Sequence, residues 1–122
     1  MFFSVADWFP AFLLTLTVEL PVCLLLLGRV EPGPRRLAGL VLFANLATHP
    51  IVWFVVTQLL LVGTPEYVLA AEGWAFGAEA LFYLLALRGI TVRRAAAASL
   101  AANLASFLIG RLVLAVLPEV LG

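Results

Sequence analysis

Charged side chains are scarce in this sequence of 122 residues, of which they make up only 11%. Soluble domains carry about 25% charged and about 45–50% apolar residues, whereas 65% of this chain is hydrophobic. A small domain buries only ~60–70% of the surface that its unfolded chain exposes, so a soluble fold could not hide so many apolar side chains. The composition therefore excludes an ordinary soluble enzyme and a disordered chain, and it predicts an integral membrane protein.

Other absences narrow the function further. The chain has one cysteine, Cys23, which excludes an internal disulfide framework and a cysteine-based zinc site. The net charge is zero, and no arginine stripe is long enough to follow a phosphate backbone, so we expect no nucleic-acid partner. No phosphate-binding loop, nucleophile elbow or metalloprotease signature is present. The sequence therefore gives no positive indication of an enzyme.

Long apolar stretches predict four membrane-spanning helices, each of which needs ~20 mostly apolar residues. The predicted spans are residues 9–28, 37–61, 66–87 and 95–117. Proline and glycine mark the turns between them, with Thr64 as an N-cap, Pro65 at the first helical position and Gly89 at a helix C-terminus. Because connections this short force antiparallel packing, the expected fold class is an all-α, up-down four-helix membrane bundle.

Arginines set the expected orientation. Six of the seven basic residues lie in the first and third turns, which an up-down bundle places on the same side. The positive-inside rule makes those turns cytoplasmic and both termini extracytoplasmic, in a cell (inner) membrane. The other side carries Asp7, Glu66 and Glu119. The first residues lack the basic stretch of a signal peptide, so we expect the first helix to be retained. An interfacial aromatic belt is expected from Trp8, Trp53, Tyr67 and Trp74.

The two halves of the chain resemble each other. Glu19 is followed by a leucine run, by Arg35-Arg36 and by Asn45-Leu-Ala-Thr, and Glu79 is followed by Arg93-Arg94 and Asn103-Leu-Ala-Ser in the same order. The second arginine precedes the asparagine by nine residues in both halves. We therefore expect a single membrane domain made of two tandem helical hairpins, 1–62 and 63–122, in parallel orientation.

Four polar residues fall at one depth in the predicted membrane. Glu19 and Glu79 precede the arginine turns by ten and nine residues, and Asn45 and Asn103 follow them by nine. At 1.5 Å per helical residue they lie ~14–15 Å from the arginines, near the middle of a ~30 Å core. Carboxylates at that depth are costly and mark functional sites. We expect Glu19 and Glu79 to be exchange sites, with Asn45 and Asn103 as their orienting partners.

Helical spacing extends this layer toward the opposite end of the bundle. His49 and Glu72 are expected ~20 Å and ~24 Å from the arginines, where they would form an outer relay. Arg111, ~26 Å away, either pairs with Glu72 or reaches out to lipid headgroups. The supporting polar residues are Thr15, Thr48 and Ser106, which lie on the same helix faces, together with Arg111.

Two functions are consistent with this pattern. The favoured one is a small transporter or channel that moves protons or a small ion or solute past the Glu/Asn layer. The alternative is a non-catalytic subunit of a larger membrane complex, in which His49 binds a haem or chlorophyll-type cofactor. The sequence requires no cofactor and leaves a metal at His49 open. The lipid bilayer is one expected partner, and a second copy of the chain or a membrane complex is the other.

Overall fold

The computed structural model describes residues 3–117, which form four long apolar helices and no strand. The helices are α1 (Val5–Leu27), α2 (Pro34–Leu59), α3 (Pro65–Ala86) and α4 (Val92–Val116). Each is long enough and apolar enough to cross a membrane. The chain is therefore a multi-pass membrane protein. Glu119, which the sequence analysis placed on the side opposite the arginine turns, lies outside the described residues.

Three helices begin earlier than the hydropathy pattern predicts, because a capping residue or a proline starts each of them. Ser4 caps α1 by accepting from the Asp7 backbone N–H at 3.1 Å, while Asp7 Oδ2 accepts from the Ser4 N–H at 2.8 Å. Pro34 opens α2 as its first residue, and Thr91 caps α4. The predicted starts at 9, 37 and 95 were therefore three to four residues late. The predicted start of α3, with Thr64 as cap and Pro65 at the first position, is confirmed.

Two glycines allow the tight turns on either side of α3. Gly63 has φ +88° and Gly89 has φ +76°, a left-handed conformation that a residue with a Cβ adopts only at a steric cost. At the first turn, Glu31 organises the chain instead. Its carboxylate pairs with Arg36 Nε at 3.3 Å and accepts from the Gly33 N–H at 3.1 Å.

The second helix widens in its last third. Pro50 has no backbone N–H to donate, and the segment Val52–Val56 directly after it is π-helical. The helix then returns to α geometry at Thr57. Such π-helical segments within α-helices are often found at functional sites. This π-helical segment begins three residues after His49.

The four helices close into a ring, because each packs against the next and α4 packs against α1. Short turns make neighbouring helices antiparallel. We call the end with the 28–33 and 87–91 turns the arginine end and the end with the 60–64 turn the cavity end. Large apolar side chains cover the outside, and Leu25, Leu69 and Leu85 are each more than three-quarters exposed. In a membrane these side chains contact lipid.

The tightly packed core lies in the half of the bundle nearest the arginine end. It is built from all four helices, and several of its members are alanines, which let helices approach closely. The Cys23 thiol and the Tyr83 hydroxyl meet at its centre, 3.6 Å apart and both fully buried. The core residues are Cys23, Leu27, Leu37, Val41, Ala44, Tyr83, Leu87, Ala95, Ala98 and Ala102.

Candidate functional site

A cavity of about 360 Å³ occupies the other half of the bundle. Its base is formed by Glu19, Asn45, Glu79 and Asn103, and its other lining residues extend to Gly63 at the cavity end. No core residue of the arginine end lines it. The cavity is therefore one-sided, with a polar base at mid-bundle and a packed apolar layer behind that base. We call the polar base the carboxyl layer, which comprises Glu19, Asn45, Thr48, Glu79, Asn103 and Ser106.

Glu79 is fully bonded within this layer. Its Oε1 lies 2.9 Å from Thr48 Oγ1 on α2, and its Oε2 accepts from Asn103 Nδ2 on α4 at 2.7 Å. Asn103 is held in turn by Ser99, whose backbone oxygen accepts from the same amide at 2.9 Å. Glu79 therefore ties α3 to both of its neighbours. Its side chain is 1% exposed.

Glu19 is bonded at one oxygen only. Its Oε1 lies 2.8 Å from Ser106 Oγ on α4. Its Oε2 is the one buried side-chain nitrogen or oxygen atom among residues 3–117 that has no hydrogen-bond partner. The residue is 0% exposed and lines the cavity. A buried polar atom without a partner is costly, so this oxygen is the natural place for a ligand or water to bind.

Two hydroxyl groups connect the carboxyls to the helix backbone. Thr48 Oγ1 lies 3.0 Å from the Ala44 carbonyl as well as near Glu79, and Ser106 Oγ lies 3.1 Å from the Asn103 carbonyl as well as near Glu19. Each hydroxyl has a single hydrogen to donate. Both contacts of one hydroxyl are satisfied together only when the carboxyl carries a proton and donates it to the hydroxyl oxygen. The hydrogen bonds of the layer therefore depend on where the protons are.

The two predicted orienting partners, Asn45 and Asn103, have different hydrogen bonds. Asn103 does bond Glu79, as the sequence analysis expects. Asn45 lies next to Glu19, but its amide donates to the Val41 carbonyl one turn earlier on its own helix, at 3.0 Å. The hydrogen bond that Glu19 receives comes from Ser106, which the sequence analysis ranked only as a supporting residue.

His49 is enclosed by aromatic rings and bonded at both nitrogens. Trp8 Nε1 donates to His49 Nδ1 at 2.9 Å, and Nε2 lies 3.2 Å from Thr15 Oγ1. An indole N–H can only donate, so Nδ1 is the acceptor and Nε2 carries the hydrogen. Phe12 and Trp53 contact the ring as well. The predicted relay of His49 and Glu72 is not joined by a hydrogen bond within the described part of the chain, although both line the cavity.

Glu72 and Arg111 line the cavity farther from its base. The sequence analysis left open whether they pair or whether Arg111 reaches outward. Arg111 is exposed, and within residues 3–117 the one ion pair is that between Glu31 and Arg36. The guanidinium group is therefore not paired with Glu72 in this structure.

Sequence reasoning missed two tryptophans as parts of the site. Trp8 and Trp74 were assigned to an interfacial belt, but Trp8 donates to His49 and Trp74 donates to the Thr48 carbonyl at 3.2 Å. A signal for Trp8 was present. Trp8, Phe12, Thr15 and Glu19 follow one another at spacings of four, three and four, which places them on one helix face. The face that carries Glu19 therefore extends to Trp8.

Metal binding has no support in this geometry. Within the described residues, no three His, Cys, Asp or Glu side chains are grouped so that they could hold a metal ion.

Comparisons with protein-family models, curated proteins and solved structures find no match for this chain. The cavity and the carboxyl layer are therefore the features of the molecule that bear on its function.

Proposed function

We propose that this protein is a small membrane transporter that exchanges protons for a small cationic solute in the carboxyl layer, with Glu19 as the exchanging group and Glu79 as the group that holds the layer together. The observation that carries the proposal is the unpartnered, fully buried Glu19 oxygen at the base of a one-sided cavity. An unpaired carboxylate at mid-membrane costs about 2.5–3.5 kcal/mol on insertion scales. A proton or a cation removes that cost, so the two compete for the same group.

The one-sided shape favours a transporter over an open channel. Beyond the carboxyl layer, the core toward the arginine end contains Leu27, Leu37 and Tyr83, each 0% exposed. A continuous pore would have to pass through this close-packed apolar layer. Movement across the membrane therefore requires the helices to repack, which is the essential step of alternating access.

The contacts of the carboxyl layer support the proposed tandem repeat. Glu19 of the first hairpin is bonded by Ser106 of the second, and Glu79 of the second is bonded by Thr48 of the first. Ser106 and Thr48 hold corresponding positions, three residues after Asn103 and Asn45. Cys23 and Tyr83 also correspond, each four residues after its glutamate. Reciprocal bonds of this kind are expected of two hairpins related by an axis along the membrane normal.

The same arrangement suggests how transport would be oriented. If the arginine turns are cytoplasmic, as the positive-inside rule predicts, the cavity faces the extracytoplasmic side. We therefore propose an outward-facing state in the cell membrane, with both termini extracytoplasmic. A homo-oligomer or a membrane complex remains the proposed setting.

The alternative, a cofactor-bearing subunit, gains no support from His49. A haem or chlorophyll would need a free ring nitrogen, and both are engaged by Trp8 and Thr15. The residues around His49 would have to move for it to act as a ligand. The colour of the purified protein is a simple check, because a bound pigment would absorb visible light.

Transport can be tested in proteoliposomes that contain a pH-sensitive dye. An inward gradient of an external cation should drive protons outward and so alkalinise the lumen, and only when the carboxyl layer is intact. Glu19→Gln should abolish this proton movement. Glu66→Gln is the matched control, because Glu66 is exposed in the first turn of α3 and does not line the cavity.

Protein-free vesicles give the background leak in this assay. Proton movement that is the same in wild-type protein, Glu19→Gln and Glu79→Gln would rule out the central carboxyls. No movement with any cation would favour the partner-subunit alternative.

A further inference from the structure

The cavity above the carboxyl layer has the size and the walls of a site for an organic molecule. Its volume of about 360 Å³ lies within the range of small-molecule sites, about 300–1,000 Å³. One water molecule takes about 30 Å³ in the liquid, so a bare inorganic ion would leave most of the space unfilled. The walls include the apolar or aromatic side chains of Val52, Trp53, Tyr67, Val68 and Phe107.

Polar groups are concentrated at the base of this cavity, and they are carboxyl, amide and hydroxyl groups, none of which is cationic. Glu19 presents an oxygen with no partner, and Glu79 and Glu72 also line the cavity. The one cationic residue among the lining side chains is Arg111, which is exposed. A ligand that reaches the base therefore meets acceptors for a positively charged donor.

We propose that the transported solute is a compact organic ammonium ion, whose charged head binds Glu19 Oε2 and whose apolar body lies against the apolar walls next to the carboxyl layer, such as Phe107. This inference rests on the proposed transport function and specifies its substrate class. An ammonium head supplies N–H donors to the unpartnered oxygen.

Inorganic cations fit this site less well. Divalent metal ions need several oxygen or nitrogen ligands at about 2.0–2.6 Å around one point. The described residues place no such group of three side chains together, and Glu79 is already bonded at both oxygens. The ligand geometry therefore matches a single hydrogen-bonding head better than a coordination sphere.

Binding would release a proton in a balanced step. The empty Glu19 carboxyl gives its proton to water in the cavity, and the resulting carboxylate accepts a hydrogen bond from the ammonium N–H. No covalent bond between ligand and protein forms. The charge in the layer is the same before and after exchange, which avoids an unpaired ion at mid-membrane.

Binding can be measured on the full chain in detergent micelles, with butylammonium as the probe. Butanol is the uncharged analogue of similar length, and potassium and magnesium ions are the inorganic competitors. We expect saturable binding of butylammonium and none of butanol. Glu19→Gln should weaken butylammonium binding about tenfold to a hundredfold, because a charged hydrogen bond is lost, and Glu66→Gln should leave it unchanged.

A second measurement needs no variant. A hydrophobic carbodiimide reacts with protonated carboxyl groups in apolar surroundings, and mass spectrometry identifies the modified residue. Butylammonium should protect Glu19 from this modification, so that mass spectrometry finds neither the carbodiimide adduct nor a butylamide at Glu19, and butanol should not protect it. This readout decides the matter if Glu19→Gln fails to fold.

The outcomes separate the two proposals. Binding of potassium or magnesium ions in place of butylammonium would overturn the organic substrate and leave cation transport standing. Binding of butylammonium that Glu19→Gln does not weaken, or that gives Glu19 no protection, would also overturn the inference. Butylammonium binding at Glu19 without any flux in proteoliposomes would uphold the substrate class and refute the transport function.

Discussion

The two halves of the bundle, on either side of the carboxyl layer, are built differently. Toward the arginine end, small residues such as Ala95, Ala98 and Ala102 are at most 1% exposed in a continuous apolar core. Toward the cavity end, larger side chains such as Trp53 and Phe107 surround an open cavity. Under the proposed transport function, the packed half closes the pathway and the half with the cavity receives the solute. The boundary between them is where the carboxyls lie.

Within the layer, the two carboxyls differ in how many of their oxygens are hydrogen-bonded. Glu79 has a partner at both oxygens and joins three helices. Glu19 has a partner at one oxygen and lines the cavity with the other unbonded. We interpret Glu79 as the group that holds the layer together and Glu19 as the group that exchanges its proton.

The largest expected effect is therefore a functional difference between these two residues. Glu19→Gln should abolish cation-driven proton movement and leave the helical content unchanged, because the amide fits the same space. Glu79→Ala should lower the thermal unfolding temperature in detergent more than Glu19→Ala does, because it removes the side-chain partner of both Thr48 and Asn103, whereas Glu19 bonds Ser106 alone. Transport measured in proteoliposomes and unfolding followed by circular dichroism test the pair. If Glu19→Ala lowers stability as much as Glu79→Ala does, the two carboxyls do not differ in their structural role.

The same substitution, alanine to leucine, should have different consequences in the two halves. Ala102→Leu in the packed half should destabilise the protein by about 1–3 kcal/mol, because Ala102 is 1% exposed within the packed core and a larger side chain there forces its neighbours to move. Ala75 lines the cavity, so Ala75→Leu should cost less stability but weaken butylammonium binding by filling the site. Chemical unfolding and ligand titration measure the two effects. Equal destabilisation by both changes would mean that the two halves are packed alike.

The hydroxyl partners of the carboxyls offer a smaller contrast. Ser106→Ala removes the hydrogen bond to Glu19, and Thr48→Val removes the corresponding bond to Glu79. Each should cost about 1 kcal/mol of stability. Only Ser106→Ala should also shift the pH dependence of butylammonium binding, because Ser106 positions the exchanging carboxyl. Ser106→Thr, which restores the hydroxyl, is expected to recover the wild-type pH profile, and an unchanged profile in Ser106→Ala would exclude that positioning role.

The smallest effect should come from the aromatic cluster at the cavity end. Trp8→Phe removes the N–H that bonds His49 and should cost about 0.5–1.5 kcal/mol. The change should also alter the ring nitrogen shifts of His49 in NMR spectra, because Nδ1 loses its donor. Trp74→Phe, which removes a bond to the Thr48 carbonyl, is the matched control and should leave those shifts as they are. Identical His49 shifts in wild-type protein and Trp8→Phe would refute the hydrogen bond.

The sequence predicted the four helices and the depth of the polar layer, because hydropathy and helical rise depend on local sequence. It predicted the Asn103 partner of Glu79 for the same reason, since both were placed at one level. It did not predict that Ser106 bonds Glu19 or that Trp8 bonds His49. Those contacts depend on how each helix is rotated about its axis and on which helices are neighbours, and packing across the whole bundle determines both.

The cavity was equally beyond prediction from the sequence. Its existence depends on the volumes of facing side chains from all four helices and on the π-helical widening after Pro50. A proline at position 50 does not by itself give the extent of that widening. The earlier helix starts had a local cause that was overlooked, namely the caps at Ser4 and Thr91.

The most direct test of the central claim is proton release when butylammonium binds to the purified protein in a weakly buffered micellar solution. This measurement avoids leakage of the free amine through a lipid bilayer. We predict the release of about one proton for each butylammonium bound, with no release from Glu19→Gln and an unchanged amount from Glu66→Gln. Binding without proton release, or the same release from Glu19→Gln as from wild-type protein, would contradict the claim that proton and solute compete at Glu19.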